Sequence, residues 1–188
     1  MVVYSSAGFP PCALWDYSVK LYSDENVSEA CLSLQDRKGM DVNVLLFCVW
    51  VAASGRQTLT ETELDDGIAV SSHWQSNAVS PLRDIRRFLK EPNGKIDSRL
   101  SGELRRVIVE SELYAEKLEL LALDNLINRP ATGSFDGSQC AEAAAENLLS
   151  YAKKAAPGEL EDRDRSDFRA IWQAAFPGEN VEQSVLAT

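Results

Sequence analysis

With 188 residues, 45% hydrophobic and 26% charged, the chain has the length and composition of one folded domain, which excludes disorder throughout. A net charge of −10 argues against general affinity for nucleic acid or anionic membrane surfaces, both of which attract cationic proteins. The charge is uneven: residues 1–80 hold 4 basic and 10 acidic groups, residues 81–130 hold 10 and 9, and residues 131–188 hold 5 and 10. The arginines are concentrated in the middle third.

The four cysteines, Cys12, Cys31, Cys48 and Cys140, form no C-x-x-C pair, and His73 is the single histidine. Zinc sites need clustered thiolates or imidazoles at short spacing, so no metal site is expected. Cys31 and Cys48 stand among apolar neighbours and read as small buried hydrophobes, a usage that suits a reducing cytoplasm. Residues 1–11 lack the basic start and apolar core of a signal peptide. The most apolar run, residues 42–53, is short of the roughly 20 residues that span a bilayer, so no membrane association is expected.

Residues 1–11, with Ser-Ser-Ala-Gly and Pro-Pro, read as an irregular arm. A first helix is expected over 13–22. A second, 27–37, has Asn26 as its cap with Glu29 reaching back, and Gly39 suits a left-handed cap at its end. Asp41 is a natural N-cap for the third helix, 42–54, which is apolar on nearly every side. A helix without a polar face is enclosed by others, and this one is expected to be the centre of the core. Thr60 and Glu63 form a capping box that opens a long helix from about residue 61 to 89. Pro81 removes one amide inside that pattern, so a kink or break is expected near 77–80. Residues 91–94 read as a turn. Another long helix runs over 98–127, a sixth over 138–155, and a short last one over 164–176. The domain is therefore 12–176, followed by a frayed tail, 177–188. Strand pairs with hairpin chemistry are not evident. The expected fold is all-α: a single-domain multi-helix bundle of about seven helices around the apolar central helix.

The segments Leu14-Trp15-Asp16-Tyr17-Ser18, Ala30-Cys31-Leu32-Ser33-Leu34-Gln35-Asp36, residues 39–50 and Pro81-Leu82-Arg83-Asp84-Ile85-Arg86-Arg87-Phe88-Leu89-Lys90 carry a resemblance. Over residues 13–123 the chain resembles a family of small proteobacterial proteins known as a domain of unknown function. The resemblance implies a bacterial, cytosolic, helical protein and brings no activity, cofactor or catalytic residue. The segment beyond residue 129 lies outside it.

Arg83, Arg86, Arg87 and Lys90 fall within about 100° of one another around a helix, while Leu82, Ile85, Phe88 and Leu89 take the opposite side. Four cations on one face need compensation. Either an acidic partner or an anionic ligand supplies it, since guanidinium forks suit carboxylates and phosphates, or Glu112, Glu116 and Glu119 on the next long helix do so internally. Asn43 is a candidate ligand-orienting amide, or a plain first-turn residue. His73 is by residue type a candidate for acid–base chemistry but has no partner in sequence and reads as a structural histidine, and Trp50 and Trp74 are core anchors or the walls of a pocket. The acidic run 61–66 matches no calcium loop and is what a helix dipole favours.

Two functions fit. The first is a noncatalytic adaptor or regulator that docks a protein partner on the basic stripe, steered by charge. The second is a small-molecule-binding protein or enzyme whose apolar pocket, between the central helix and the two long ones, holds an anionic group at the arginines. The second predicts a cavity of several hundred cubic ångströms opening onto Arg83 or Arg87. No cofactor and no nucleic-acid partner are expected.

Overall fold

The computed structural model describes residues 8–91, 97–131, 136–180 and 186. Among them no strand occurs, and eight α-helical segments follow in order. These are α1 (Ala13–Tyr22), α2 (Glu25–Lys38), α3 (Val42–Val51), α4 (Glu61–Trp74), α5 (Ser80–Phe88), α6 (Ser98–Asp124), α7 (Gly137–Ala155) and α8 (Asp162–Ala175). A π-helical turn, Gln75–Val79, joins α4 to α5, so the two run on as one rod and the bundle has seven rods. Residues 1–7 of the expected arm, most of the 91–94 turn and nearly all of 181–188 lie outside the described residues.

Capping chemistry sets most boundaries. Asp41 Oδ1 accepts from the Asn43 and Val44 amides and starts α3, and both halves of the Thr60–Glu63 capping box are made. Gly39 closes α2 with φ +67°, a conformation that costs glycine nothing. The expected cap at Asn26 is corrected: Asp24 caps α2, accepting from the Asn26 amide at 2.9 Å, and the helix begins two residues earlier. A carboxylate at that position gains from both the orphan amide and the dipole. The break expected before Pro81 is the π turn, which lets Pro81 enter the first turn of α5, where its missing amide costs little.

The expected central helix is central. Every residue of α3 from Val44 to Val51 is buried. One side packs with α2, α7 and α8 around Leu34, Leu45, Leu148, Phe168 and Trp172. The other packs with α1 and α6 around Leu14, Phe47, Trp50, Leu120 and Leu123. Where α3 gives way to a second π turn, Ala52–Arg56, the Ala52 amide turns to Val49 O. The fully buried Asn147 takes Cys48 O at 3.0 Å and receives the Leu59 amide at 2.7 Å, which satisfies the irregular backbone from α7. All four cysteines are buried.

A charged clamp joins α2 to α8. Asp164, with no side-chain exposure, accepts from Arg37 and Lys38 and from the Glu161 amide, and Asp167 takes the other arm of Arg37. Burial raises the Asp164 pKa, but the Glu161 amide, Arg37 and Lys38 outweigh it and hold the carboxyl below its usual range. A depressed carboxylate contributes stability above the unfolded pKa and loses it as pH falls through the folded value. Asp164→Asn is therefore expected to cost about 2–3 kcal/mol at neutral pH. In urea unfolding series that gap should close as the buffer is acidified below pH 4.

The α5 helix and the first half of α6 stand apart from this core. No residue of α5 is buried, and the first buried residue of α6 is Glu112. Leu186 is buried, and its carbonyl accepts from Arg169 Nε at 2.9 Å, so at that position the tail is held. No helix among the described residues is long and apolar enough to cross a membrane.

Candidate functional site

The start of α3, the end of α4 and its π turn, α5 and the middle of α6 converge on two acids, the half-buried Asp41 and the fully buried Glu119. Asp41 is placed there by the left-handed turn at Gly39 and by its own capping role. Its amide donates to the Tyr151 hydroxyl at 2.7 Å. Glu119 reaches the same point from α6 with no exposure at all. Gln75, first residue of the π turn, donates to Glu119 Oε2 at 3.0 Å, while Oε1 has no hydrogen-bond partner among the described residues. The polar side chains of Asn43 and Ser71 also face Glu119.

Burial, and then the neighbouring Asp41, push Glu119 up to about 8. Burial likewise raises Asp41, against the Val44 and Asn43 amides, Ser71 and the Arg83 charge. The two acids cannot both ionise at neutral pH, so the pair keeps a proton. A carboxyl held protonated in this way can donate a hydrogen bond or a proton to a bound molecule. It also leaves a mark on stability. A raised pKa gives stability that is complete below the unfolded value and is lost as pH rises through the folded one. Glu119→Gln removes the ionisation, so it is expected to leave the melting temperature nearly unchanged at pH 4, below the unfolded value. At pH 9 it should raise it by about 4–8 °C, the shift produced by about 2 kcal/mol in a domain of this size.

The arginines meet these acids from α5. Arg83 donates to Glu112 at 3.0 Å and to Glu116 at 3.2 Å, and Arg86 grips both oxygens of Glu112. Burial works to raise Glu112, but Arg86 and Arg83 overcome it and hold the carboxyl low. Burial prevails at Glu116, which is raised in spite of Arg83. Glu119, the third internal partner expected from the sequence, takes Gln75 instead of an arginine.

Beside this network lies an open cleft of about 400 Å³. Trp15, Val19, Tyr22, Leu32, Leu46 and Leu113 give it an apolar wall. Asp41, Asn43, Gln75, Arg83, Arg86 and Arg87 supply polar groups, as does Ser18, whose buried hydroxyl has no partner among the described residues. A second hollow of about 470 Å³ adjoins it and shares Asp41, Gln75, Arg83 and Arg87. Among the described residues no three acidic, thiol or imidazole groups converge as a metal ion would require.

Of the residues singled out from sequence, Asn43, Arg83, Arg86 and Arg87 line the cleft, and Lys90 does not. The basic stripe is not one exposed face. Arg83 and Arg86 are turned onto α6 and mostly covered, whereas Arg87 is 68% exposed and meets only Asp84, at 3.9 Å. Part of the apolar side of α5 faces out: Ile85 is 43% and Phe88 65% exposed, while Leu82 and Leu89 are half-buried. The flank of α6 that α5 meets is acidic, so Arg83 and Arg86 turn inward, Arg87 and Lys90 stay exposed, and Ile85 and Phe88 are left outside.

The proposed pocket lining is corrected for three residues. Trp50 is buried against Phe47 with the Arg56 guanidinium 5.0 Å from its ring, His73 is exposed on α4, and Trp74 is half-buried away from the cleft. Trp15 and Tyr22, on the first helix, take their place.

A family model described as "Protein of unknown function (DUF2390)" matches residues 13–123. The chain belongs to that family. The matched span is the one over which the resemblance was read, and it contains every cleft residue named above together with Glu112, Glu116 and Glu119. Only Tyr151 comes to the acid pair from outside it. No curated protein and no solved structure matched the chain.

Proposed function

We propose that this protein binds a small molecule in the cleft between α1, α3, α5 and α6, with the Asp41–Glu119 pair as its principal recognition element. The observation that carries the reading is a half-buried Asp41 on the wall of a cleft of about 400 Å³, within the size range of small-ligand sites, with the fully buried Glu119 behind it and one oxygen of Glu119 unpartnered among the described residues. The aromatic and aliphatic wall supplies contact area and the few polar groups fix orientation. The reading departs from an anion site at the arginines, because Arg83 and Arg86 already have carboxylate partners. A bacterial, cytoplasmic setting belongs to the same proposal: the bacterial part rests on the family resemblance, and burial of the cysteines as small hydrophobes suits a reducing compartment.

A panel of metabolite-sized compounds titrated against the isotope-labelled protein tests it. Binders should move the side-chain amide resonances of Asn43 and Gln75. Val19, 51% exposed on the cleft wall, offers a blocking variant: Val19→Trp should weaken every such binder at least about tenfold with little loss of stability. Binders that leave both amides unmoved and ignore Val19→Trp would place the site elsewhere.

A second reading, docking of a protein partner on α5 and the first half of α6, is favoured by the exposed Phe88, Leu100 and Leu104 near Arg87 and Lys90. Partner capture that is lost with Arg87→Glu/Lys90→Glu, and kept with Val19→Trp, would favour it over the cleft.

A further inference from the structure

The charges around the acid pair do not balance. Asp41, Glu112, Glu116 and Glu119 are four acids within one network; with the proton that the Asp41–Glu119 pair keeps they carry three negative charges, against two from Arg83 and Arg86. Arg87, the remaining arginine of the cleft, points to solvent beside Asp84. The groups facing the pair from the other helices add no positive charge: Tyr151 from α7 is neutral, and Asp36 from α2 is a further acid on the same cleft. An anionic ligand would deepen this surplus, whereas a cation would relieve it.

A second, independent feature points the same way. The Ser18 hydroxyl, 3% exposed and on the cleft wall, has no hydrogen-bond partner among the described residues. A buried hydroxyl without a partner is costly; it marks the cleft as a place for a polar ligand group, and a donor such as an ammonium is one that would satisfy it.

We infer that the ligand is a small organic cation, a primary ammonium on an apolar body, with the ammonium against Asp41 and the body against Trp15, Val19 and Leu46. The inference rests on the cleft being a binding site. An ammonium carries three donors and no acceptor, which suits carboxylate oxygens and the Ser18 oxygen together. It also takes over the part of the proton that the acid pair retains, so binding releases that proton and strengthens as pH rises.

Three probes of similar shape separate the possibilities: 2-phenylethylamine, 2-phenylethanol and 3-phenylpropionate, each titrated against the full chain at pH 6 and pH 8 while the Asn43 and Gln75 amide resonances are followed. The amine is expected to bind about fiftyfold tighter at pH 8 than at pH 6, for one proton displaced over most of that interval, and tighter than either other probe. The alcohol should show no pH dependence. In Glu119→Gln, which needs no buried charge, the amine should still bind and the pH dependence should vanish. Equal or tighter binding of the alcohol or the carboxylate at these amides would overturn the cation inference and leave the cleft standing. Perturbation by none of the three would overturn both.

Discussion

Deletion of residues 130–188 is expected to abolish cooperative folding, although the family match ends before that segment. The α7 and α8 helices bury Leu148, Tyr151, Phe168, Ile171 and Trp172 against α2 and α3. At about 1.5–3 kcal/mol for each large side chain, these five alone supply roughly 8–15 kcal/mol, which equals the whole net stability of an ordinary domain. Without them one side of α3, the most apolar helix of the chain, would face water. The deletion removes Asn147 as well, and with it the partner of Cys48 O and of the Leu59 amide. Circular dichroism with urea unfolding checks this: the shortened chain should show no sigmoidal transition, or should not stay in solution. A cooperative transition near that of the full chain would mean that residues 13–123 are a folding unit by themselves.

The second large effect is expected at Glu112. Its carboxylate is 9% exposed and holds both Arg83 and Arg86. Removing one partner of a covered ion pair leaves the others short of compensation, here Arg86 with no carboxylate and Arg83 with Glu116 alone, and costs about 3 kcal/mol. Glu112→Ala should accordingly lower the melting temperature by about 6–12 °C. The network is shared, so Glu112→Ala combined with Arg86→Ala should cost clearly less than the sum of the two single changes. Arg87→Ala serves as the control. That side chain is exposed, its contact with Asp84 is long, and the change should stay within about 0.5 kcal/mol of wild type. Since α5 buries no residue of its own, the loss should be felt first as detachment of α5, read as faster amide exchange over residues 80–88.

The helix boundaries were legible because their signals are local. Asp41, Gly39 and the Thr60–Glu63 pair each act within one turn of chain, and each does in the structure what its chemistry predicts. The enclosure of α3 was legible for a similar reason: a helix with no polar side leaves a single place for itself. The orientation of α5 was not. Periodicity places its cations and hydrophobes on opposite sides but does not say which side meets a neighbour, and the acidic flank of α6 reversed the usual choice. The acid pair was also out of reach. Asp41 presents itself as a cap and Glu119 as one more carboxylate on an acidic stripe, and only the fold brings the two together. The available signal was arithmetic: Glu112, Glu116 and Glu119 share a face, and two arginines cannot neutralise all three together with a capping aspartate. Trp15 and Tyr22 replace Trp50 and Trp74 at the cleft because α1 lies across the open side of α3, a long-range arrangement that no local pattern encodes.

At the heart of the proposed site, Asp41 and the fully buried Glu119 share a proton. The most direct test is the titration of the Glu119 side-chain carboxyl carbon by nuclear magnetic resonance in the free protein. The account predicts an apparent pKa of about 8, coupled to a second step at Asp41. A Glu119 that titrates at about 4.3, the value of an unperturbed glutamate, would contradict it.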